Sequence, residues 1–293
     1  MRLINTRTLA LEEFIGREIP KYAILSHTWE GQEVTYDDYV DTCCIDKRSS
    51  AELTESINSM YLWYQRSTIC YAYLSDLPAD ADVEESQIYQ QMRMFTRGWT
   101  LQELLAPSRM LFFDAAWINR GSKQSLAKIS SAITRIDIPL LCGKTTLSGY
   151  SVAQRMSWAA PRQTTRVEDT AYCLFGIFAL NLPLLYGEGR KAFRRLQAEI
   201  LRTIPDLNTE YRHIFNPESH DLVLSGVLAT SPAEFYSCLN LVSHAEDTIP
   251  DVSISNFGIK LPTESIGLSR LSLGACKENL AHSSLACTAY FSA

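Results

Sequence analysis

The sequence is short of basic charge, and it has neither a Cys-x-x-Cys nor a long apolar run. Each shortage removes a class of protein. Lysine and arginine number 27 against 33 aspartate and glutamate, a net charge of −6. A phosphate backbone would meet net repulsion, so nucleic acid is not an expected partner. The eight cysteines, at 43, 44, 70, 142, 173, 238, 276 and 287, form no Cys-x-x-Cys. Neither a disulfide framework nor a zinc site is supported, no metal is expected, and the thiols read as buried groups of a reducing compartment. The most apolar stretch, 171–186, is interrupted by Gly176, Asn181 and Pro183 and is too short to span a bilayer. Residues 1–7 carry charge and amide where a signal peptide needs a continuous apolar core, and there is no Asn-x-Ser/Thr acceptor. A cytoplasmic location without a membrane span is therefore the expectation. No internal repeat and no low-complexity tract stands out. What is present is ordinary for a globular chain: 293 residues, 46% apolar and 20% charged. That excludes disordered, collagen-like and coiled-coil classes and leaves ample length for a core.

The first half alternates strand and helix signals. Lys21 to Trp29 (KYAILSHTW) is an apolar run ending in polar residues, the pattern of a buried strand that delivers side chains at its carboxyl end. Asp41 to Asp46 (DTCCID) is a second such run. Ser49 to Glu52 matches a capping box, and Leu53, Ile57, Met60, Tyr61 and Tyr64 follow at helical spacing. Thr68 to Leu74 and Met110 to Phe113 supply further strands, with a helical stretch from Gln87 between them. This alternation predicts an α/β fold built on a parallel sheet covered on both faces. From about Gly121 to Arg202 the pattern turns helical, with candidate helices at 151–159, 168–180 and 188–202, the last burying Phe193, Leu196 and Ile200. After Pro205, β-prone runs at 222–228, 254–261 and 285–291 predict a small β-rich segment.

Short motifs carry little chemistry. Gly187-Glu188-Gly189-Arg190-Lys191 lacks the glycine spacing and the Lys-Ser/Thr ending of a phosphate loop, and it reads as a glycine turn entering a helix with a solvated basic face. Cys43-Cys44 lies in an apparent buried strand as a pair of small hydrophobes, with His27 the one base near enough in the pattern to activate a thiol. A constellation of three segments says more. Ser26-His27-Thr28-Trp29 ends the first strand, Asp46 ends the second, and Arg97 to Leu104 (RGWTLQEL) precedes the last. Ligands of open parallel sheets bind beyond the carboxyl ends of the strands. Ser26, His27, Asp46 and the helix holding Glu103 are thus expected to converge there; taken singly, Ser26 and His27 are turn residues and Glu103 an exposed helix glutamate.

These segments resemble the fungal heterokaryon-incompatibility (HET) domain family, on KYAILSHTW (21–29), DTCCIDKRSSAELTESINSMYLWY (41–64) and RGWTLQELLAP (97–107). RMSWAAPRQTTRVEDTAYCLFGIF (155–178) and LPLLYGEGRKAFRRLQAEI (182–200) look like the helical continuation of that family. The resemblance covers roughly the first two-thirds of the chain. It implies a toxic effector that triggers cell death in self/non-self recognition, with protein partners in incompatibility signalling or self-association. The segment Trp99 to Leu104 also resembles the TIR domain, a flavodoxin-like signalling fold whose NAD-hydrolysing members use the matching glutamate. On that resemblance Glu103 is catalytic, Ser26, His27, Trp29, Asp46 and Trp99 line the site, and NAD enters as substrate with no cofactor implied. Two alternatives stand beside it: a non-catalytic assembly module, and an inactive abridged paralogue. The division implied is 1–120 for the HET (TIR-like) domain, 121–205 for a helical extension and 206–293 for the β-rich segment. One departure matters. Only Glu30 to Val40 link the first two strands, too few for the usual crossover helix, so an uncovered sheet face and a destabilised domain are expected.

Overall fold

The structure, a computed structural model, describes residues 1–14, 18–28, 48–79, 86–203, 228–240, 253–255, 258–261 and 289–291. The strand expected at DTCCID and the Glu30 to Val40 link lie outside the described residues.

A short antiparallel hairpin, β1 (Arg2–Ile4) with β2 (Leu11–Glu13), opens the chain. It was not evident in the sequence, because three-residue strands carry no period. Strand β3 (Ala23–His27) is followed by helix α1 (Ser50–Arg66) and strand β4 (Ile69–Tyr73). Ser49 caps α1 by accepting the Glu52 amide, while the Glu52 carboxylate takes both ends of the Arg2 guanidinium at 2.5 and 2.9 Å. Ile57 and Tyr64 are buried, and Leu53, Met60 and Tyr61 pack beside them, the stripe the spacing predicts. Three short helices follow, α2 (Ser86–Gln91), α3 (Arg93–Thr96) and α4 (Thr100–Leu105), before strand β5 (Met110–Phe113).

Strands β3, β4 and β5 run parallel in that order, so the chain has the expected α/β class and mostly parallel sheet. The register sorts their side chains by face. Ser26, Cys70, Ala72, Met110 and Phe112 share one face and are buried. Leu25, His27, Tyr71, Tyr73, Leu111 and Phe113 share the other, which is only half-buried. That face is shielded partly by its own aromatics: Tyr73 stacks on Trp117 at 4.5 Å, and Phe113 lies 5.7 Å from both Tyr71 and Trp117.

A fourth strand, β6 (Asn119–Ser122), pairs antiparallel with β5 where helix was expected to begin. Turn chemistry explains the difference. Buried Asp114 accepts the amides of Ala116 and Ile118 and the Arg120 guanidinium at 2.7–2.9 Å, folding the chain back at once. Burial pushes the Asp114 carboxyl up, but these donors outweigh it and hold it below the usual range.

The helical part comprises α5 (Ala127–Thr134), α6 (Ile138–Leu141), α7 (Val152–Ala159), α8 (Asp169–Tyr172) and α9 (Lys191–Thr203). A reciprocal capping box, Ser151 with Gln154, starts α7. The helix expected over 168–180 is instead α8 followed by a 3-10 turn (Gly176–Phe178) that ends at Ala179 with φ 54°. The turn packs closely on α1: a Cβ at Gly176 would lie 2.2 Å from the Tyr61 Cβ. On α9, Phe193, Leu196 and Ile200 are buried as the spacing predicts. Gln197 is buried with them and exchanges two hydrogen bonds with the Ala229 backbone, 2.8 and 3.0 Å, fixing 228–240 against the helices. There the chain forms 3-10 turns, with Phe235 and Cys238 in the same core as Trp158 and Phe175. Strands β7 (Ser253–Ser255), β8 (Gly258–Leu261) and β9 (Ala289–Phe291) make a separate antiparallel sheet; the expected 254–261 run is a hairpin of two strands.

Candidate functional site

Ser26 is the penultimate residue of β3 and points to the buried face, 1% exposed. Its hydroxyl donates to the Glu103 carboxylate at 2.5 Å and lies 3.6 Å from the Met94 sulfur. Glu103 is 8% exposed, so it is not the surface glutamate that a helix position alone suggests. The pair joins the carboxyl end of a parallel strand to the helix of the Trp-x-x-x-Glu-Leu segment, as the sequence predicts.

Helix α4 has only six residues, too few to be stable by itself. It is held instead at both ends by buried cations. At its start, Arg162 Nη1 donates to the carbonyls of Met94 (3.2 Å) and Arg97 (2.8 Å) and to Thr100 Oγ1 (3.0 Å). At its end, Lys123 Nζ donates to the carbonyls of Leu104 (3.1 Å), Leu105 (3.4 Å) and Pro107. Burial lowers both cations, Arg162 to about 10 and Lys123 to about 8. The charge of Glu103 acts on Arg162 in the opposite sense. The segment carrying Arg162 is itself stapled to the α3–α4 junction: Gly98 N donates to Gln163 O at 2.8 Å and Gln163 N to Thr96 O at 2.7 Å.

Trp99, just before α4, is half-buried, and its indole N–H donates to Asp169 at 3.3 Å. The other Asp169 oxygen accepts the Tyr186 hydroxyl at 2.9 Å. Burial raises the Asp169 carboxyl, and these two donors oppose the rise. Next to it, Glu168 accepts the amides of Gly187 and Gly189 at 2.9 and 3.0 Å. Amides from its own backbone and from the two glycines hold the Glu168 carboxyl low. The glycine turn, with φ of 101° and 59°, thus encloses a carboxylate of its own chain.

Of the predicted site residues, Ser26 and Glu103 meet. Trp99 belongs to the same helix start but turns toward Asp169. His27 follows Ser26 and therefore projects to the opposite face of β3, beside Tyr73, away from Glu103. Trp29 and Asp46 lie outside the described residues, as do Cys43 and Cys44. Arg162, Lys123 and Asp169 were not singled out by sequence reasoning: a lone charged residue in a loop, after a short polar strand or at the start of a short helix has no period that marks it as buried. Of the described cysteines, 142 and 173 are free thiols, and burial pushes the Cys173 thiol up to about 12. Among the described residues no group of three or more His, Cys, Asp or Glu side chains is arranged to hold a metal, and no helix is long and apolar enough to cross a membrane.

The chain is 42% identical over 221 residues to the vegetative incompatibility protein HET-E-1 of Podospora anserina. That match covers 62% of this chain and 16% of the relative, so this chain corresponds to a small part of the larger protein's length. No family model and no solved structure matches the chain.

Proposed function

We propose that this chain acts in fungal vegetative incompatibility as an effector that brings about cell death, and that its chemistry is hydrolysis of NAD. Two things support the first part: the identity to an incompatibility protein and the sequence blocks read above. One observation carries the second, the buried Ser26–Glu103 pair at the carboxyl end of a parallel strand.

The reaction suits a single carboxylate. The bond between ribose C1 and the nicotinamide nitrogen breaks with its electron pair leaving on nitrogen, so a cationic pyridinium departs as a neutral base and needs no general acid. Positive charge then grows on the ribose ring as an oxocarbenium-like centre. A fixed negative charge stabilises it most where water is excluded. Water adds to C1 and gives up one proton, leaving ADP-ribose. On this reading Glu103 supplies the charge, Ser26 fixes the carboxylate, and Trp99 walls the pocket.

The rival is a non-catalytic module that signals by assembly. It is favoured by the half-buried aromatic face of the sheet and by Trp117 and Ile118, each more than half exposed beside it. Two measurements separate them: viability of cells expressing the full chain, and NAD loss with the purified chain, each for wild type and Glu103→Ala. The enzymatic reading expects toxicity and NAD loss in the wild type, with NAD loss reduced by about 100-fold or more in the variant. Equal NAD loss in both would sink the assignment. Toxicity undiminished in a folded Glu103→Ala chain would favour assembly.

A further inference from the structure

We infer that Arg162 is the positioning residue of the Glu103 helix: it fixes where α4 begins and, through that helix, where the Glu103 carboxylate sits. The inference rests on the role proposed for Glu103, yet most of its support is independent of any activity.

The geometry is a bridge made by one end of the Arg162 guanidinium. One terminal nitrogen serves three acceptors from two successive structural units, the Met94 carbonyl within α3, the Arg97 carbonyl at its end, and the Thr100 hydroxyl at the first position of α4. Thr100 returns a hydrogen bond to the same Arg97 carbonyl at 2.8 Å. The kink between the two helices is therefore closed by a ring of polar contacts with Arg162 at its centre. The residue is 9% exposed, and its second terminal nitrogen is buried with no hydrogen-bond partner among the described residues. A buried cation with unused hydrogen-bonding capacity is strongly disfavoured unless an opposite charge offsets it. Glu103 is the carboxylate that acts on it.

A merely structural arginine would contribute packing and three hydrogen bonds. A positioning arginine also changes the titration of Glu103. The two are separable with the full chain labelled with 13C at glutamate carboxyls, the Glu103 signal being identified by its disappearance in Glu103→Gln. In Arg162→Met, which keeps the length of the side chain and removes the charge, the Glu103 midpoint is expected to rise by about one pH unit, a tenfold change in its ionisation constant. In Arg162→Lys the midpoint is expected to stay close to wild type, while the amide shifts of 100–105 move, because the shorter side chain cannot bring its ammonium to all three acceptors at once. Thr100→Val, which leaves the charge in place and removes one acceptor, is expected to move those amide shifts and leave the midpoint unchanged.

NAD loss is measured on the same samples. If the wild type consumes NAD, Arg162→Met lowers the rate at neutral pH, and Arg162→Lys recovers part of it. If the wild type consumes none, the reading of Glu103 as catalytic fails while the titration still tests the arginine. An unchanged midpoint in a folded Arg162→Met chain overturns the inference. Should that variant not fold, the decision passes to Arg162→Lys and Thr100→Val: unmoved amide shifts across 100–105 in both would overturn it equally.

Discussion

Gly98 shows how little room separates the site from its support. A Cβ built there would lie 2.5 Å from the Thr164 methyl and 3.1 Å from the Cys173 sulfur, while the Gly98 amide is already spent on Gln163. A threonine methyl stands one bond from its Cβ, so relief requires either turning Thr164 at the expense of its hydrogen bond to the Arg166 carbonyl or shifting the backbone of the 162–164 segment. Gly98→Ala is expected to destabilise the chain by about 1–3 kcal/mol, seen as a lower midpoint in thermal unfolding, and to shift the Trp99 indole signal as the staple loosens. An unchanged midpoint would mean that the segment yields freely. At this scale the sequence was informative about Ser26 and Glu103, since a polar residue ending an apolar strand and a carboxylate in a tryptophan-led helix both stand out. It was misleading about His27. Adjacent residues of a strand face opposite ways, so Ser26 and His27 cannot both look toward Glu103 while the strand stays regular. Arg162 was silent because its meaning depends on carbonyls that lie 65 and 68 residues earlier.

Helix α4 illustrates what an element gains from neighbours that do not resemble helix caps. Its last carbonyls end on Lys123, a residue placed by β6 and buried at 3% exposure. The lowered pKa of that lysine has a definite sign. In the unfolded chain the ammonium titrates near its ordinary 10.5, and in the folded chain near 8. Below about 8 both states are protonated and the burial penalty stands in full. Between 8 and 10.5 the folded chain has given up the proton that the unfolded chain retains, so this residue's contribution to stability rises with pH and is lost again as pH falls through 8. The span corresponds to roughly 3 kcal/mol. Lys123→Met is expected to remove this upward component from a plot of unfolding free energy against pH; identical slopes for the two chains above pH 8 would refute it. Elements with a strong period, α1, β4, β5 and α9, were legible because a buried stripe or an apolar run states its own geometry. Strand β6 (NRGS) was not, since its place follows from the Asp114 turn and not from its own residues. The close packing at Gly176 involves likewise a distant residue, Tyr61, more than a hundred positions away.

At the scale of the whole molecule, the buried apolar side chains among the described residues form one continuous core, from Ile57 on α1 through Leu104 and Trp158 to Phe193 and Cys238. The parallel sheet and the helices after it therefore share their interior. A fragment ending at residue 120 would lose Lys123, Arg162 and every core side chain of α7 and α9. It is expected to show no cooperative thermal transition by circular dichroism, whereas a fragment ending at 240 retains one; a sharp transition in the shorter fragment would show that the sheet stands alone. The overall class was readable because alternation of strand and helix is a global pattern. The sharing of the core was not, because composition shifts near 121 and 205 mark changes of secondary structure and say nothing about which faces meet. The distance along the chain from α4 to its anchor also sets an order of events. Thr100 precedes Arg162 by 62 residues, and a ribosome adding about 5–20 residues per second takes roughly 3–12 s to cover that interval. The nascent chain exposes the acidic helix first and receives its guanidinium later, so a chain proposed to kill its own cell passes the early part of its synthesis without a set site.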